Sequence, residues 1–189
     1  MTKPPYCKDC LFVKLSTGFV PDFVGEDPKM AVVLKMPGRD EIISGEPMTG
    51  KAGWYWDTNF LEPLGIKREN LIIGNTIRCF PNGGSYPTGK NKTGAWKACE
   101  HWCAAILKFQ PQVIGVTFNP AALLRNPQQE KMLRRSMEKA WGYALAGERP
   151  LLLMGEEAKD LYASNLTGMI KHWQGHFFPS ALSTRGNDA

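Results

Sequence analysis

Histidine is scarce in this chain of 189 residues: His101, His172 and His176 are the only three. His172 and His176 stand four residues apart, but no carboxylate follows in register, so a zinc-protease type of pair is not indicated. Long apolar runs are also missing. No stretch approaches the roughly 18 uncharged apolar residues that a bilayer crossing requires. Lys3, Lys8 and Asp9 stand where a secretory signal needs an apolar core. A cytoplasmic chain with no membrane partner is therefore expected. Low-complexity segments and blocks of like charge are absent too, which confines expected disorder to about Met1–Pro5 and the tail Ser183–Ala189. Finally, cysteine is present in an odd number, five. In a reducing compartment that favours metal ligands or buried thiols over a disulfide framework.

What is present suits one ordinary domain over residues 1–189, with 43% hydrophobic residues and enough chain to bury a core. The net charge of +5 is compatible with a polyanion such as DNA, because cationic side chains that neutralise phosphates release counterions. Four short apolar segments read as buried strands: Met30–Lys35, Leu71–Asn75, Val113–Thr117 and Pro150–Met154. Helical stretches separate them, at Trp54–Leu64 with Gly65 as the stop, Thr93–Phe109, Asn119–Leu145 and Glu156–Tyr162. Strands alternating with helices imply an α/β layered domain around a mostly parallel four-stranded sheet. Ligands in such domains bind beyond the carboxyl ends of the strands, which directs the search to the loops after Leu34, Ile73, Val116 and Met154. Residues 80–94, polar and glycine-rich, read as a surface loop.

Cys7 and Cys10 form a CxxC pair on the amino-terminal arm, Cys79 follows a strand, and Cys99 and Cys103 lie about one helical turn apart. Four thiolates suit either zinc or a [4Fe–4S] cluster, and free buried cysteines with a chance CxxC are the plain alternative.

The surrounding motifs resemble the iron–sulfur uracil-DNA glycosylases, commonly called family four, over about residues 7–127. Cys7-Lys-Asp-Cys10 matches the family's first element. Leu34-Lys-Met-Pro-Gly38 stands in the place of GEAPG, and Gly45-Glu-Pro-Met-Thr-Gly-Lys-Ala-Gly53 in that of the PFVG.AG segment. Leu64-Gly-Ile-Lys-Arg68 and Ile73-Gly-Asn-Thr-Ile-Arg-Cys-Phe-Pro81 follow in order. The resemblance implies a three-layer αβα fold and a structural [4Fe–4S] cluster held by Cys7, Cys10, Cys79 and Cys99, with Cys103 a buried thiol. It also implies DNA as partner, single-stranded or with a flipped base, and a replication or repair protein beside it. The family's last motif, HP(A/S)xxLR.P, looks like Asn119-Pro-Ala-Ala-Leu-Leu-Arg-Asn-Pro127. The LGxxA turn that should precede it finds its best likeness later, at Leu151–Ala158. Either the carboxyl-terminal strands are reordered, or the end of the chain near His176–Ser180 stands in for the last motif.

By the same resemblance, Asn75 reads the pyrimidine edge, since an amide donates and accepts at once, and Pro37 and Gly38 form the turn of the pocket. Lys35 replaces the family's acid, Met48 its stacking phenylalanine and Asn119 its histidine. Asp40 and Glu41 remain as nearby carboxylates. Lys35 serves as an amine nucleophile or simply as the partner of Asp40, Glu41 or a phosphate. Trp54, Tyr55 and Trp56 are stacking candidates or core. Lys131, Arg134, Arg135 and Lys139 line one helix as a DNA contact or a solvated face. Two functions follow: a glycosylase that hydrolyses the N-glycosidic bond of uracil or a modified pyrimidine, with Lys35, Asp40 and Asn119 at the reaction and Met48 and Asn75 around the base; or an inactive DNA-binding or replication-associated descendant.

Overall fold

The computed structural model describes residues 7, 8, 10–107, 112–116, 129–158 and 160, and for 100–105, 107 and 112–116 the backbone alone. The main sheet contains all four expected strands: β3 (Met30–Leu34), β4 (Leu71–Asn75), β6 (Gln112–Val116) and β7 (Pro150–Met154). It has five strands rather than four and is mixed. A two-residue strand, β2 (Phe23–Val24), pairs antiparallel with β4 at one edge, and the order is β2-β4-β3-β7-β6. The last strand in sequence thus lies inside the sheet, between β3 and β6. Every residue of β3, β4 and β7 is buried, as parallel strands covered on both faces require. A second, two-stranded sheet pairs β1 (Ser16–Phe19) with β5 (Cys79–Pro81).

Alternate residues of the strands face two cores. Met30, Val32, Leu34, Leu71, Ile73, Leu152 and Met154 pack on one side with Trp56, Phe60 and helix α5 (Glu130–Leu145); Ala31, Val33, Ile72, Leu151 and Leu153 pack on the other with Ile106 and Ala158. Helix α5 buries Leu133, Met137, Ala140, Trp141 and Ala144, a 3.6-residue stripe, and exposes Lys131, Arg135 and Lys139. Arg134 bonds Glu130 at 2.8 Å and lies over the Phe60 ring. The part of the expected helix before residue 129 lies outside the described residues, as do the end of the one after β7, both chain ends, Asn119, His172 and His176. Among the described residues no helix is long and apolar enough to cross a membrane.

Sequence periodicity missed the short elements: α1 (Phe12–Leu15), β1, β2, β5 and α2 (Arg39–Ser44). The expected helix from Trp54 begins earlier and is three pieces: α3 (Gly50–Trp56), a π-helical stretch Asp57–Leu61 and a 3₁₀ turn Glu62–Leu64. Pro63 accounts for the change, since it has no N–H to donate and its ring crowds the carbonyl four residues back. Gly65 ends the run with φ +65°, the left-handed cap expected of it. Helix α4 (Gly89–Leu107) also starts earlier than expected, so only part of 80–94 is loop.

Two buried constraints hold the strand ends. Arg78, fully buried, donates from Nε and Nη2 to the two carboxylate oxygens of Asp22 at 3.0 and 2.9 Å. Gly74 makes room for this pair, because a Cβ there would sit 2.6 Å from Asp22 Oδ1. Burial pushes the Asp22 carboxyl upward more than Arg78 lowers it. The second constraint is Met48, the one non-glycine with positive φ among the described residues, at +55°. Its carbonyl accepts from Arg68, which Asp57 orients at 3.0 Å, and Gly53 lies so close that a Cβ would overlap that carbonyl. A left-handed methionine persists only where its surroundings over-determine it.

Truncating Asp22 to Ala leaves the buried guanidinium without its carboxylate and should lower unfolding free energy by about 3–5 kcal/mol in urea denaturation; Glu69→Ala at the exposed Lys67 pair should move the midpoint little. Gly53→Ala should destabilise by about 1–3 kcal/mol through overlap with the Met48 carbonyl. Gly142→Ala, where a Cβ meets open space within α5, should stabilise by about 0.5–1 kcal/mol.

Candidate active site

The register of the parallel strands decides which side chains meet. Leu34 pairs with Asn75, and Val33 with Leu153, so the carboxyl ends of β3, β4 and β7 form one edge. Lys35, the first residue past β3, points its ammonium at Glu157, which follows β7: Nζ to Oε1 is 2.6 Å, with both side chains about one third exposed. Lys35 is therefore paired with neither Asp40 nor Glu41, the partners its position in the chain suggests. The same ammonium lies 5.1 Å from the centre of the Tyr86 ring.

A chain of hydrogen bonds fixes this edge from beneath. Trp96 Nε1 donates to Tyr86 Oη at 2.7 Å, Tyr86 Oη lies 2.5 Å from Thr76 Oγ1, and the Thr76 hydroxyl donates to the carbonyl of Lys35. Burial, the main cause, pushes the Tyr86 phenol up to about 12. Asn75 is 2% exposed and closes β4. Pro37 is buried; the Gly38 N–H donates to Glu41 Oε2 at 2.7 Å, which caps α2 and commits that carboxylate. Burial raises the Glu41 carboxyl above its usual range. Asp40 is exposed and leans on Gly50, at the start of α3. Met48, 4% exposed, belongs to the first core. Of the stacking candidates, Trp56 is fully buried in that core, Tyr55 is half-buried and bonded to Glu130 at 2.7 Å, and Trp54 is 67% exposed.

The cysteines lie on the other side of the Tyr86–Trp96 contact. Cys79 at the start of β5 and Cys99 on α4 share a core with Phe12, Phe19, Ile77, Ala95 and Trp96, and Cys10 packs against it. Cys7 is buried, and its carbonyl accepts from the Cys10 N–H at 3.0 Å. All four thiols are free of disulfides. Burial pushes the Cys99 thiol up to about 12; Arg78 works against this, and the nearby Cys79 and Cys10 add to it. Among the described residues, however, no three His, Cys, Asp or Glu side chains are gathered closely enough to hold a metal ion. Cys103 falls on the α4 backbone, its side chain outside the described residues.

Glu157, Tyr86, Thr76 and Trp96 were not singled out from sequence. Glu157 had a signal, since it sits in the loop after Met154, one of the four strand ends where a ligand is expected. Tyr86 had none: it lies within the glycine-rich stretch read as surface loop.

No protein-family model matches the chain. Its sequence is 37% identical over 82 residues to a type-4 uracil-DNA glycosylase of Archaeoglobus fulgidus, which covers 43% of this chain and 41% of that protein. The type-4 uracil-DNA glycosylase of Thermotoga maritima is 34% identical over 95 residues, 48% of this chain and 47% of the relative. That of Saccharolobus solfataricus is 31% identical over 75 residues, 40% of this chain and 35% of the relative. The chain thus spans less than half the length of the curated relatives it matches, and over that part it is similar to the type-4 uracil-DNA glycosylases.

Proposed function

We propose that this protein is a DNA base glycosylase of the uracil type, hydrolysing the N-glycosidic bond of uracil or a modified pyrimidine. The observation that carries this reading is the similarity to several type-4 uracil-DNA glycosylases, taken with a buried amide, Asn75, at the carboxyl edge of a parallel sheet. A glycosylase has to withdraw its base from the stack and hold it by its hydrogen-bonding edge. Asn75 supplies donor and acceptor for that edge, and the Pro37–Gly38 turn shapes the pocket wall. Met48 keeps an apolar surface behind it without an aromatic face. Lys35, paired with Glu157 at 2.6 Å, stabilises the base as it leaves with negative charge, or a flanking phosphate. Asp40 flanks the same turn, and Asn119, which follows β6 in sequence, stands where the family has its histidine.

The strand order supports the reordered reading of the carboxyl-terminal motifs. Leu151–Ala158, though late in sequence, runs through a strand beside β3, and β6, which leads towards Asn119, takes the sheet edge. Four thiols are a donor set whose chemistry suits an iron–sulfur cluster, and Cys79 and Cys99 share one core with Cys10 against it and Cys7 one turn away, although the described side chains are not drawn together to ligating distance. A [4Fe–4S] cluster bound by Cys7, Cys10, Cys79 and Cys99 would be a structural tie, joining the arm, β5 and α4.

Anaerobic purification should give a brown protein with about four irons per chain, and Cys79→Ser should lose both colour and stability; a colourless, zinc-loaded protein would overturn the cluster assignment. Single-stranded DNA carrying uracil, hydroxymethyluracil or other modified pyrimidines should yield abasic sites, and Asn75→Ala should slow their formation about 10- to 100-fold. Salt-sensitive DNA binding with no base released from any substrate would replace the enzyme with a DNA-binding descendant of the fold.

A further inference from the structure

We propose that Glu157 is the reactive carboxylate of this site: it faces the sugar, steadies the positive charge that develops there and takes a proton from the attacking water, with Lys35 as its fixed counter-ion. This rests on the glycosylase reading above and assigns a residue to its chemistry. As the C1′–N bond breaks, its electron pair leaves with the base and positive charge gathers on the sugar ring. Opposite charges set side by side match both halves of that transition state at once. Lys35 Nζ and Glu157 Oε1, 2.6 Å apart, are such a pair.

Their placement is specific. They follow neighbouring parallel strands, β3 and β7, on the edge where an open α/β sheet receives its ligands. With side chains 34% and 28% exposed, both are within reach of a ligand yet partly withdrawn from water. Lys35 is held at both ends: its carbonyl accepts from Thr76 and its ammonium sits over Tyr86, which Trp96 and Thr76 anchor in turn. A loose surface ion pair has no such support. The other carboxylates near this edge are differently engaged. Glu41 caps α2 through the Gly38 N–H, and Asp40 stands exposed against Gly50. In the step itself, water oxygen bonds to C1′ as the C1′–N bond breaks, the water's proton passes to Glu157, and the base anion is protonated from solvent.

The test is single-turnover base release from uracil-containing single-stranded DNA, with thermal unfolding of each protein measured alongside. Glu157→Gln should lower the rate about 100-fold or more and leave DNA affinity near that of the unaltered protein. Glu157→Asp, which keeps a carboxylate but draws it back by one methylene, should retain part of the activity that Glu157→Gln removes. A folded Glu157→Gln protein that releases uracil at the unaltered rate overturns this assignment and leaves the glycosylase reading standing. An unaltered protein that releases no base overturns both. Should the Gln variant unfold, the Asp variant decides: a folded protein slowed about 10-fold or more supports the assignment, and one that releases uracil at the unaltered rate overturns it.

Discussion

The parallel register of β3 against β4 and β7 is the constraint on which the rest of this molecule depends. It sets Leu34 beside Asn75 and Val33 beside Leu153. Three residues far apart in sequence, Lys35, Asn75 and Glu157, thereby arrive at one sheet edge. A shift of one residue in either pairing would turn alternate side chains to the opposite face and disperse the edge. Nothing local enforces that register. It is fixed by burial of both faces of three strands under helices, so the chemistry at the edge is a consequence of two separate apolar cores.

The buried Arg78–Asp22 pair joins this sheet to the cysteine-bearing layer. Arg78 sits between Asn75 and Cys79 in sequence, its guanidinium reaches Asp22 before β2, and its backbone engages Cys99. Beyond it, Trp96 contributes to both regions: its ring packs with Cys79 and Cys99, while its N–H fixes Tyr86 above Lys35. Met36 and Tyr86 pack against the same core, so the cysteine core and the sheet edge share side chains directly. The proposed structural cluster would thereby reach the sheet edge without any redox role.

Much of the fold was legible because buried parallel strands are continuous apolar runs. Leu71–Asn75 and Pro150–Met154 occur with the bounds expected of them, and β3 and β6 within one residue at each end. The short elements were not legible: two- to four-residue strands such as β2 and β1 have too few positions to express a period, and they form only because β4 and β5 offer an edge. The interruption of the helix after Trp56 was written in Pro63, but its expression as a π-helical stretch depends on packing.

The site was legible in parts. Asn75 and Lys35 could be placed at strand ends from pattern and resemblance, and Cys99 on a helix from the pattern around it. The partner of Lys35 could not, because candidate carboxylates at positions 40 and 41 were nearer in sequence than Glu157, and strand order alone brings position 157 alongside. Tyr86 was hidden for a related reason, since a glycine-rich stretch gives no sign that its aromatic residue folds inward.

The central claim is that a DNA base is received at the joined carboxyl ends of β3, β4 and β7. The most direct measurement is photocrosslinking of iodouracil-containing single-stranded DNA, with the attached residues mapped by mass spectrometry. The account requires attachment within residues 35–48, 75–86 or 155–158. Attachment confined to the exposed face of α5, at Lys131, Arg135 and Lys139, would contradict it.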